Sequence, residues 1–124
     1  SEIVKKQFEN NKFPVIIGGE HSVSIGAIQV AHKYFDDLTV LQIDAHADLR
    51  DEYLGSKFNH ACVMSRAKEL GNIVQAGIRS FDKCEYERMN LENIFFAEDI
   101  SGQTNWHEKA IDRISKNVHL TIDL

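Results

Sequence analysis

Short runs of apolar residues alternate along this chain with longer stretches in which apolar positions recur every three or four residues. Short, wholly apolar runs are typical of strands buried on both faces, and a 3.6-residue period is typical of helices. The runs predict five strands, at residues 15–17, 38–43, 73–78, 93–97 and 118–124. The periodic stretches predict five helices, at residues 1–12, 22–35, 61–70, 82–91 and 105–116.

This regular alternation of helix and strand predicts an α/β fold of three layers, in which helices cover both faces of a mainly parallel sheet. The sequence contains no internal repeat and no linker-like stretch, so we expect residues 1–124 to belong to one domain. The chain opens on Ser1 and stops within its last predicted strand. We therefore expect it to be a central part of a larger domain, without that domain's N-terminal and C-terminal portions.

Composition and charge narrow the classes of function. Apolar residues make up 43% of the chain, which is enough for a packed core. The net charge of −5 has the wrong sign for holding a phosphate backbone, so we expect no nucleic-acid partner. The apolar runs are too short for a membrane span, and the two cysteines fit neither a disulfide framework nor a cysteine-based zinc site. These features predict a cytoplasmic protein that does not associate with membranes.

Acids and histidines follow three of the predicted strands, at the edge of the sheet where ligands bind in parallel α/β folds. His21 follows the first strand, Asp44, His46 and Asp48 follow the second, and Asp123 ends the last. A lone Asp-x-His is more typical of helix caps and solvated loops. Five such residues at one edge favour a metal site, because buried unpaired carboxylates are costly. Imidazole and carboxylate ligands without thiolate suit Mn²⁺ or Zn²⁺.

A metal site of this kind needs a bend in the chain. In a straight strand the carboxylates of Asp44 and Asp48 would lie about 13 Å apart, too far to share one ion. The alanines between them leave room for the chain to curl after the strand. A carboxylate has two oxygens and can bridge two ions, so the pattern suits a centre with two metals.

Four motifs together resemble those of the ureohydrolase family, which includes arginase, agmatinase, formimidoylglutamase and guanidinobutyrase. The motifs are Gly-Gly-Glu-His-Ser at 18–22, Asp-Ala-His-Ala-Asp at 44–48, Asn-His-Ala-Cys at 59–62 and Gly-Ile-Arg-Ser at 77–80. The resemblance implies an arginase/deacetylase-like fold and two Mn²⁺ ions for each active site of the complete enzyme. It also implies a homo-oligomer, either a trimer or a hexamer.

The resemblance also implies the ligand set. One Mn²⁺ would be bound by His21, Asp44, Asp48 and Asp123, and the other with help from Asp44, His46 and Asp123. In the family the last-strand motif continues with a second Asp, and a guanidinium-binding Glu follows later; neither lies within these 124 residues. We therefore expect this chain to be inactive by itself.

The implied reaction is hydrolysis of a small cationic guanidino substrate by a metal-bridging hydroxide. Asp48 would orient that hydroxide, and His60 resembles the family's proton shuttle to the leaving amine. Residues 49–59 lack the Ser-, Thr- and Asn-rich loop with which arginases hold a carboxylate, and Ser80 stands where arginases usually have Asp. These departures favour agmatine, cleaved to putrescine and urea as in polyamine biosynthesis.

Several alternatives remain open at the level of sequence. The chain could belong to another ureohydrolase, to a deacetylase-like amidohydrolase with one Zn²⁺, or to a non-catalytic metal-binding pseudo-enzyme. Glu20 is expected to support the site rather than to bind metal. Asp82 either lines the pocket or forms a capping box with Glu85 at the start of a helix. Cys62 is expected to be a packing residue and not a nucleophile.

Overall fold

A four-stranded parallel sheet forms the centre of the computed structural model, which describes residues 1–123. The strands are β1 (Leu38–Ile43), β2 (Asn72–Ile78), β3 (Ile94–Phe96) and β4 (Asn117–Ile122). They lie side by side in the order β3-β2-β1-β4, and every neighbouring pair is parallel. The predicted α/β class with a parallel sheet is confirmed.

Six helices and two short 3₁₀ segments connect and cover the strands. The helices are α1 (Glu2–Glu9), α2 (Val23–Tyr34), α3 (Val63–Leu70), α4 (Lys83–Tyr86), α5 (Ala97–Gly102) and α6 (Trp106–Ile111), and the 3₁₀ segments are His60–Cys62 and Leu91–Asn93. No helix within residues 1–123 has both the length and the apolarity needed to cross a membrane.

The core lies where α2 and α3 pack against the sheet. On α2 the buried residues Ile25, Ile28 and Ala31 are spaced three apart, which places them on one face of the helix. Ile25 and Ile28 join Val40 of β1 and Met64 of α3, both almost fully buried, in the same apolar cluster. Since β1 and β2 are the two central strands and are mostly buried, the residues that follow them extend from the centre of the sheet.

The predicted strand at residues 15–17 is wrong. Residues 12–18 have no regular secondary structure, and Val15 and Ile17 are 75% and 95% exposed. A cavity of about 670 Å³ lies between this segment and β4, so the segment has no neighbouring strand with which to pair. Apolar sequence alone cannot make a strand, because backbone hydrogen bonds require a partner.

Three predicted helices are shorter than expected, and one helix was not predicted. The helix predicted over 1–12 is observed as α1, which ends at Glu9. Of the helix predicted over 82–91, only α4 is observed, and it ends at Tyr86. Further on, the Asn90 side chain accepts from the Glu92 N–H and starts a separate 3₁₀ turn. The helix predicted over 105–116 ends at Ile111; further on, the Ser115 N–H donates to Thr39 Oγ1 and leads the chain into β4. The unpredicted α5 follows β3 directly. Leu124, which was included in the last predicted strand, lies outside the described residues.

The order of the strands identifies one place in the sheet as a binding site. From β1 the chain passes to β2 and then β3 on one side, and it returns to the other side of β1 as β4. Ligands bind in the crevice beyond the carboxyl ends of strands where the order reverses in this way. That crevice lies between the ends of β1 and β4, where Asp44 and Asp123 are found.

Candidate metal centre

Three of the predicted metal ligands lie together in a buried cluster at this crevice. His21 Nδ1 is 2.6 Å from Asp48 Oδ2 and 3.5 Å from Asp44 Oδ2. One potential ligand atom from each of the three residues lies within 4.8 Å of the others, and all three side chains are buried. Among residues 1–123 this is the group of histidine and acidic residues whose geometry could hold a metal ion.

The chain does curl after β1, and the bend is centred on Asp48. This residue has a φ of +51°, in the left-handed region that residues other than glycine rarely adopt. Its carbonyl oxygen accepts from the N–H groups of Met64 and Ser65, at 3.0 and 3.2 Å, in the first turn of α3. These bonds to α3 hold Asp48 in its strained conformation, which turns its carboxylate back toward Asp44.

The loop after β1 is also held by the loop after β2. Ala45 O accepts from the N–H groups of Arg79 and Ser80, both at 2.9 Å, and the Ala47 N–H donates to Ser80 O at 3.2 Å. The close approach of the two loops requires a glycine at position 77. Gly77 has a φ of +90°, and a Cβ there would lie 3.1 Å from Asp44 O. The Gly-Ile-Arg-Ser motif thus supports the Asp-Ala-His-Ala-Asp motif through its backbone.

His21 is oriented from its far side by a residue of β4. Its Nε2 lies 2.9 Å from Thr121 Oγ1, across a sequence separation of 100 residues. Burial disfavours the charged imidazole, but the hydrogen bond to Asp48 and the charges of Asp48, Asp44 and Asp123 outweigh this effect and raise the pKa of His21. The site therefore attracts a positive charge at Nδ1, which either a proton or a metal ion can supply.

The other two predicted ligands lie at the rim of the cluster and not within it. His46 has a side chain that is 63% exposed, with Nδ1 3.3 Å from Asp44 Oδ1. Asp123 is exposed, and its N–H donates to Ile43 O at 3.0 Å, which places it beside the end of β1. Both residues line the same cavity as His21 and Asp48. Their roles as ligands stay predictions.

Two residues of the cluster, His21 and Asp48, form part of the wall of a cavity of about 580 Å³ that opens to solvent. His60 lies in the same cavity, half-exposed, with Nδ1 3.9 Å from Glu20 Oε1 and its ring edge-on to Tyr53 at 5.7 Å between centroids. Asn59 places His60 at the start of its 3₁₀ turn by accepting from the Ala61 N–H. Glu20 thus lies beside His60, and its role in supporting the site stays a prediction.

One wall of the cavity is formed by an ion pair. Arg50 Nη2 lies 2.6 Å from Asp82 Oδ2, and the guanidinium lies 5.0 Å above the centre of the Tyr53 ring. Asp82 and Glu85 form the predicted capping box at the start of α4. Asp82 therefore has both of the alternative roles that its sequence suggested, since it also lines the cavity.

Cys62 does not take part in the site. Its side chain is fully buried, and this burial raises the pKa of its thiol. A raised pKa lowers the fraction of thiolate, which is the nucleophilic form. The prediction that Cys62 is a packing residue is confirmed.

The donor set fits a hard or borderline divalent cation. It combines one imidazole with carboxylates and no thiolate. A ligating histidine usually donates its other N–H to a supporting group. The Thr121 hydroxyl can accept from Nε2–H of His21, so Nδ1 is free to bind an ion in place of the proton it shares with Asp48.

Sequence reasoning missed the residues that support the cluster. Gln42, Gln75, Thr121 and Glu85 are all buried and all hydrogen-bonded to a predicted ligand or to its loop. Three of them, Gln42, Gln75 and Thr121, each lie between two apolar residues in a strand, which is the signal that could have identified them. A polar side chain is buried in a strand only where a hydrogen-bond partner is present.

Comparison with known proteins agrees with the geometry. The Arginase family model matches residues 1–124. A relative from Synechocystis sp., described as an N(1)-aminopropylagmatine ureohydrolase, is 40% identical over 121 residues, covering 94% of this chain and 40% of the relative. An agmatinase from Halalkalibacterium halodurans is 33% identical over 124 residues, covering 98% of this chain and 43% of the relative.

A solved structure shows the same fold. The crystal structure of agmatine ureohydrolase from Thermoplasma volcanium matches with a TM-score of 0.84 at 33% identity, covering 98% of this chain and 43% of that one. The chain thus spans about two-fifths of the length of these relatives. Since the family match extends over every residue of the sequence, the chain belongs to the arginase family.

Proposed function

We propose that this chain carries the manganese centre of an agmatinase-type ureohydrolase, which hydrolyses agmatine to putrescine and urea. The observation that carries the proposal is the buried cluster of His21, Asp44 and Asp48, of which His21 and Asp48 line a solvent-open cavity. Agmatinases among the relatives support the reaction type. One Mn²⁺ would be held by the cluster with Asp123, and a second by Asp44 and Asp123 with His46.

The acidic cavity suits a cationic guanidinium group. Carboxylates of Glu20, Asp48 and Asp123 line it, and their field attracts a positive substrate. Divalent ions bound there would supply a water whose pKa is lowered toward about 7, and hence a nucleophile near neutral pH. The Asp48 carboxylate would accept a hydrogen bond from that nucleophile and orient it.

His60 is proposed as the group that protonates the leaving amine. In the reaction the guanidinium carbon gains an oxygen and loses one C–N bond, and the departing nitrogen takes the electron pair and needs a proton. His60 lies in the same cavity as Asp48, and histidine is the side chain that most often transfers protons in catalysis. The His60 ring lies edge-on to Tyr53, with its Nδ1 3.9 Å from Glu20 Oε1.

The charges of the residues that line the cavity favour an amine over an amino acid as the substrate. Arg50 is the one lysine or arginine among the described residues that line it, and its guanidinium is paired with Asp82. A substrate carboxylate would therefore meet acids and no free cation, whereas the amine of agmatine would meet compatible charge. The Synechocystis relative is named for N(1)-aminopropylagmatine, whose longer cationic arm suits the same wall.

The decisive experiment compares substrates. Since the chain spans about two-fifths of its relatives, urea release is measured with Mn²⁺ on the full natural polypeptide that contains this sequence. The substrates are agmatine, N(1)-aminopropylagmatine, arginine and 4-guanidinobutanoate. We expect the highest kcat/KM with agmatine, and no urea from the 124-residue chain by itself. A preference for arginine or for 4-guanidinobutanoate would contradict the proposal.

We further propose the setting in which the enzyme works. Residues 1–124 would form one part of a single larger ureohydrolase domain, in a cytoplasmic homo-oligomer that is a trimer or a hexamer. A reducing compartment is consistent with the two free cysteines among the described residues, Cys62 and Cys84.

A further inference from the structure

Two glutamines lie side by side within the centre of the sheet, where apolar side chains are usual. Gln42 of β1 and Gln75 of β2 are paired in register, and they are 0% and 1% exposed. Their neighbours along the strands are apolar. Buried amides are retained only where hydrogen bonds satisfy them, so each bond of this pair indicates what the pair supports.

The direction of hydrogen bonding in the pair follows from its partners. Gln42 Nε2 donates to Asp44 Oδ2 at 2.8 Å and to His46 O at 3.2 Å. A carboxylate and a carbonyl can only accept, so the amide nitrogen of Gln42 must face them and its Oε1 must face Gln75. Gln75 Nε2 then donates to Gln42 Oε1 at 2.5 Å and to Ala47 O at 2.8 Å.

This arrangement leaves Gln75 Oε1 buried without a hydrogen-bond partner among the described residues. An apolar residue in place of Gln75 would avoid the cost of that unsatisfied acceptor. The pair is therefore a poor choice for stability alone. What it does achieve is to fix the Gln42 amide toward Asp44 and the His46 carbonyl, and the Gln75 amide toward the Ala47 carbonyl.

The Asp44 carboxylate is held at both oxygens as a result. Gln42 occupies one lone pair of Oδ2, and the His46 N–H donates to Oδ1 at 2.7 Å. The carboxylate cannot rotate without breaking one of these bonds, and its remaining lone pairs are left for the cation site beside His21. Supporting groups of this kind orient metal ligands and tune their affinity.

We infer that Gln42 and Gln75 are positioning residues that fix the Asp44 carboxylate for metal binding. The inference rests on the proposed function, in which Asp44 is a ligand of both ions. Gln42 acts directly on the carboxylate, and Gln75 acts by holding the Gln42 amide and the Ala47 carbonyl.

The test measures metal affinity and stability separately on the full natural polypeptide that contains this sequence, since these 124 residues span about two-fifths of their relatives. Mn²⁺ binding is followed by the electron paramagnetic resonance signal of the free ion, and thermal unfolding is followed without metal. Gln42→Met keeps the length of the side chain but removes the donor to Asp44. We expect its Mn²⁺ affinity to fall by about 10-fold or more, and that of Gln75→Met to fall by less.

The matched control is Thr39→Val, on the same strand as Gln42. Thr39 is also fully buried and hydrogen-bonded, but its partners are Ser115 and Asn72, at the opposite end of the strand from the site. We expect a lower unfolding temperature for Thr39→Val with unchanged Mn²⁺ affinity. If Gln42→Met does not fold, the comparison of Gln75→Met with Thr39→Val carries the test.

Unchanged affinity in a folded glutamine variant, or an equal loss of affinity in Thr39→Val, would overturn the inference. A wild-type chain that binds no Mn²⁺ would instead overturn the proposed metal centre, and the inference with it. The two failures are thus distinguished by the wild-type titration.

Discussion

Asp48 shows how one residue combines strain with a chemical role. Its left-handed backbone is stabilised by two N–H groups of α3, and its carboxylate lies 2.6 Å from His21 Nδ1. Strained conformations persist where the surrounding structure holds them, and they occur preferentially at functional sites. The bend after β1, which a shared metal site requires, is therefore centred on Asp48.

Asp48→Asn separates the charge of this residue from its conformation. Asparagine tolerates the left-handed region, so the curl should persist, while the loss of the negative charge should lower Mn²⁺ affinity by about 10-fold or more. Isothermal titration of the chain with Mn²⁺ measures the effect. Asp36→Asn, an exposed acid before β1, is the control and should bind like the wild type. Equal affinities in both variants would argue against Asp48 as a ligand.

At the scale of elements, the short helix α4 links the capping of a helix to the site. Glu85 is 5% exposed, and its two oxygens accept from different backbone groups. Oε2 accepts from the Asp82 N–H at 3.1 Å and completes the capping box, while Oε1 accepts from the Leu49 N–H at 3.1 Å. A four-residue helix thus holds the residue that follows Asp48.

Glu85→Gln tests this link. A glutamine side chain can accept from only one of the two N–H groups, because its NH₂ would face the other. We expect a loss of about 1–3 kcal/mol in the free energy of unfolding, since a buried donor is left unsatisfied. Urea denaturation measures it. Glu87→Gln changes an exposed acid next to α4, and a similar loss in that variant would show that the effect is not specific to Glu85.

Residues 13–17 and β4 show that an element depends on its neighbours. Phe13, Val15 and Ile17 are strongly exposed, and Leu120 and Ile122 of β4 are more than half exposed. Both segments face the cavity of about 670 Å³. In contrast, β1 has a strand on each side, and its predicted bounds at residues 38 and 43 are confirmed.

For the whole molecule, the buried cluster predicts that folding and metal binding are coupled. Three carboxylates act on one imidazole at the centre, so a divalent cation should bind the folded chain much better than the unfolded one. At a Mn²⁺ concentration of about 100 times Kd the stabilisation would be about 2.7 kcal/mol, or roughly 10 °C in Tm for a chain of this size.

Differential scanning calorimetry with Mn²⁺ and with a chelator measures this coupling. We expect the Tm to rise with Mn²⁺ concentration and to return to its metal-free value when the chelator is in excess. Asp48→Asn should show a much smaller rise at the same concentration. A Tm that does not respond to Mn²⁺ would contradict a metal centre within this chain.

The sequence was sufficient for much of the fold. Hydrophobic period predicted four of the strands and the presence of five helices, because burial leaves a local pattern of apolar residues. It also placed Asp44, His46 and Asp48 at the edge of the sheet, since they follow β1. His21 was assigned to the same edge from a strand that is absent, and its observed place there is fixed by its contacts with Asp48 and Thr121. The failed strand at 15–17 and the short α6 are cases in which a partner or a competing hydrogen bond decided the outcome.

What the sequence by itself determined is the class of fold, the motifs and the edge of the sheet that carries them. Only the tertiary structure decided that Thr121 orients His21, that Gln75 reaches Asp44 through Gln42, and that Glu85 holds the loop after Asp48. The physical reason is that burial is recorded residue by residue along the chain. A hydrogen bond between distant segments depends instead on how the strands are ordered in space, which no local pattern records.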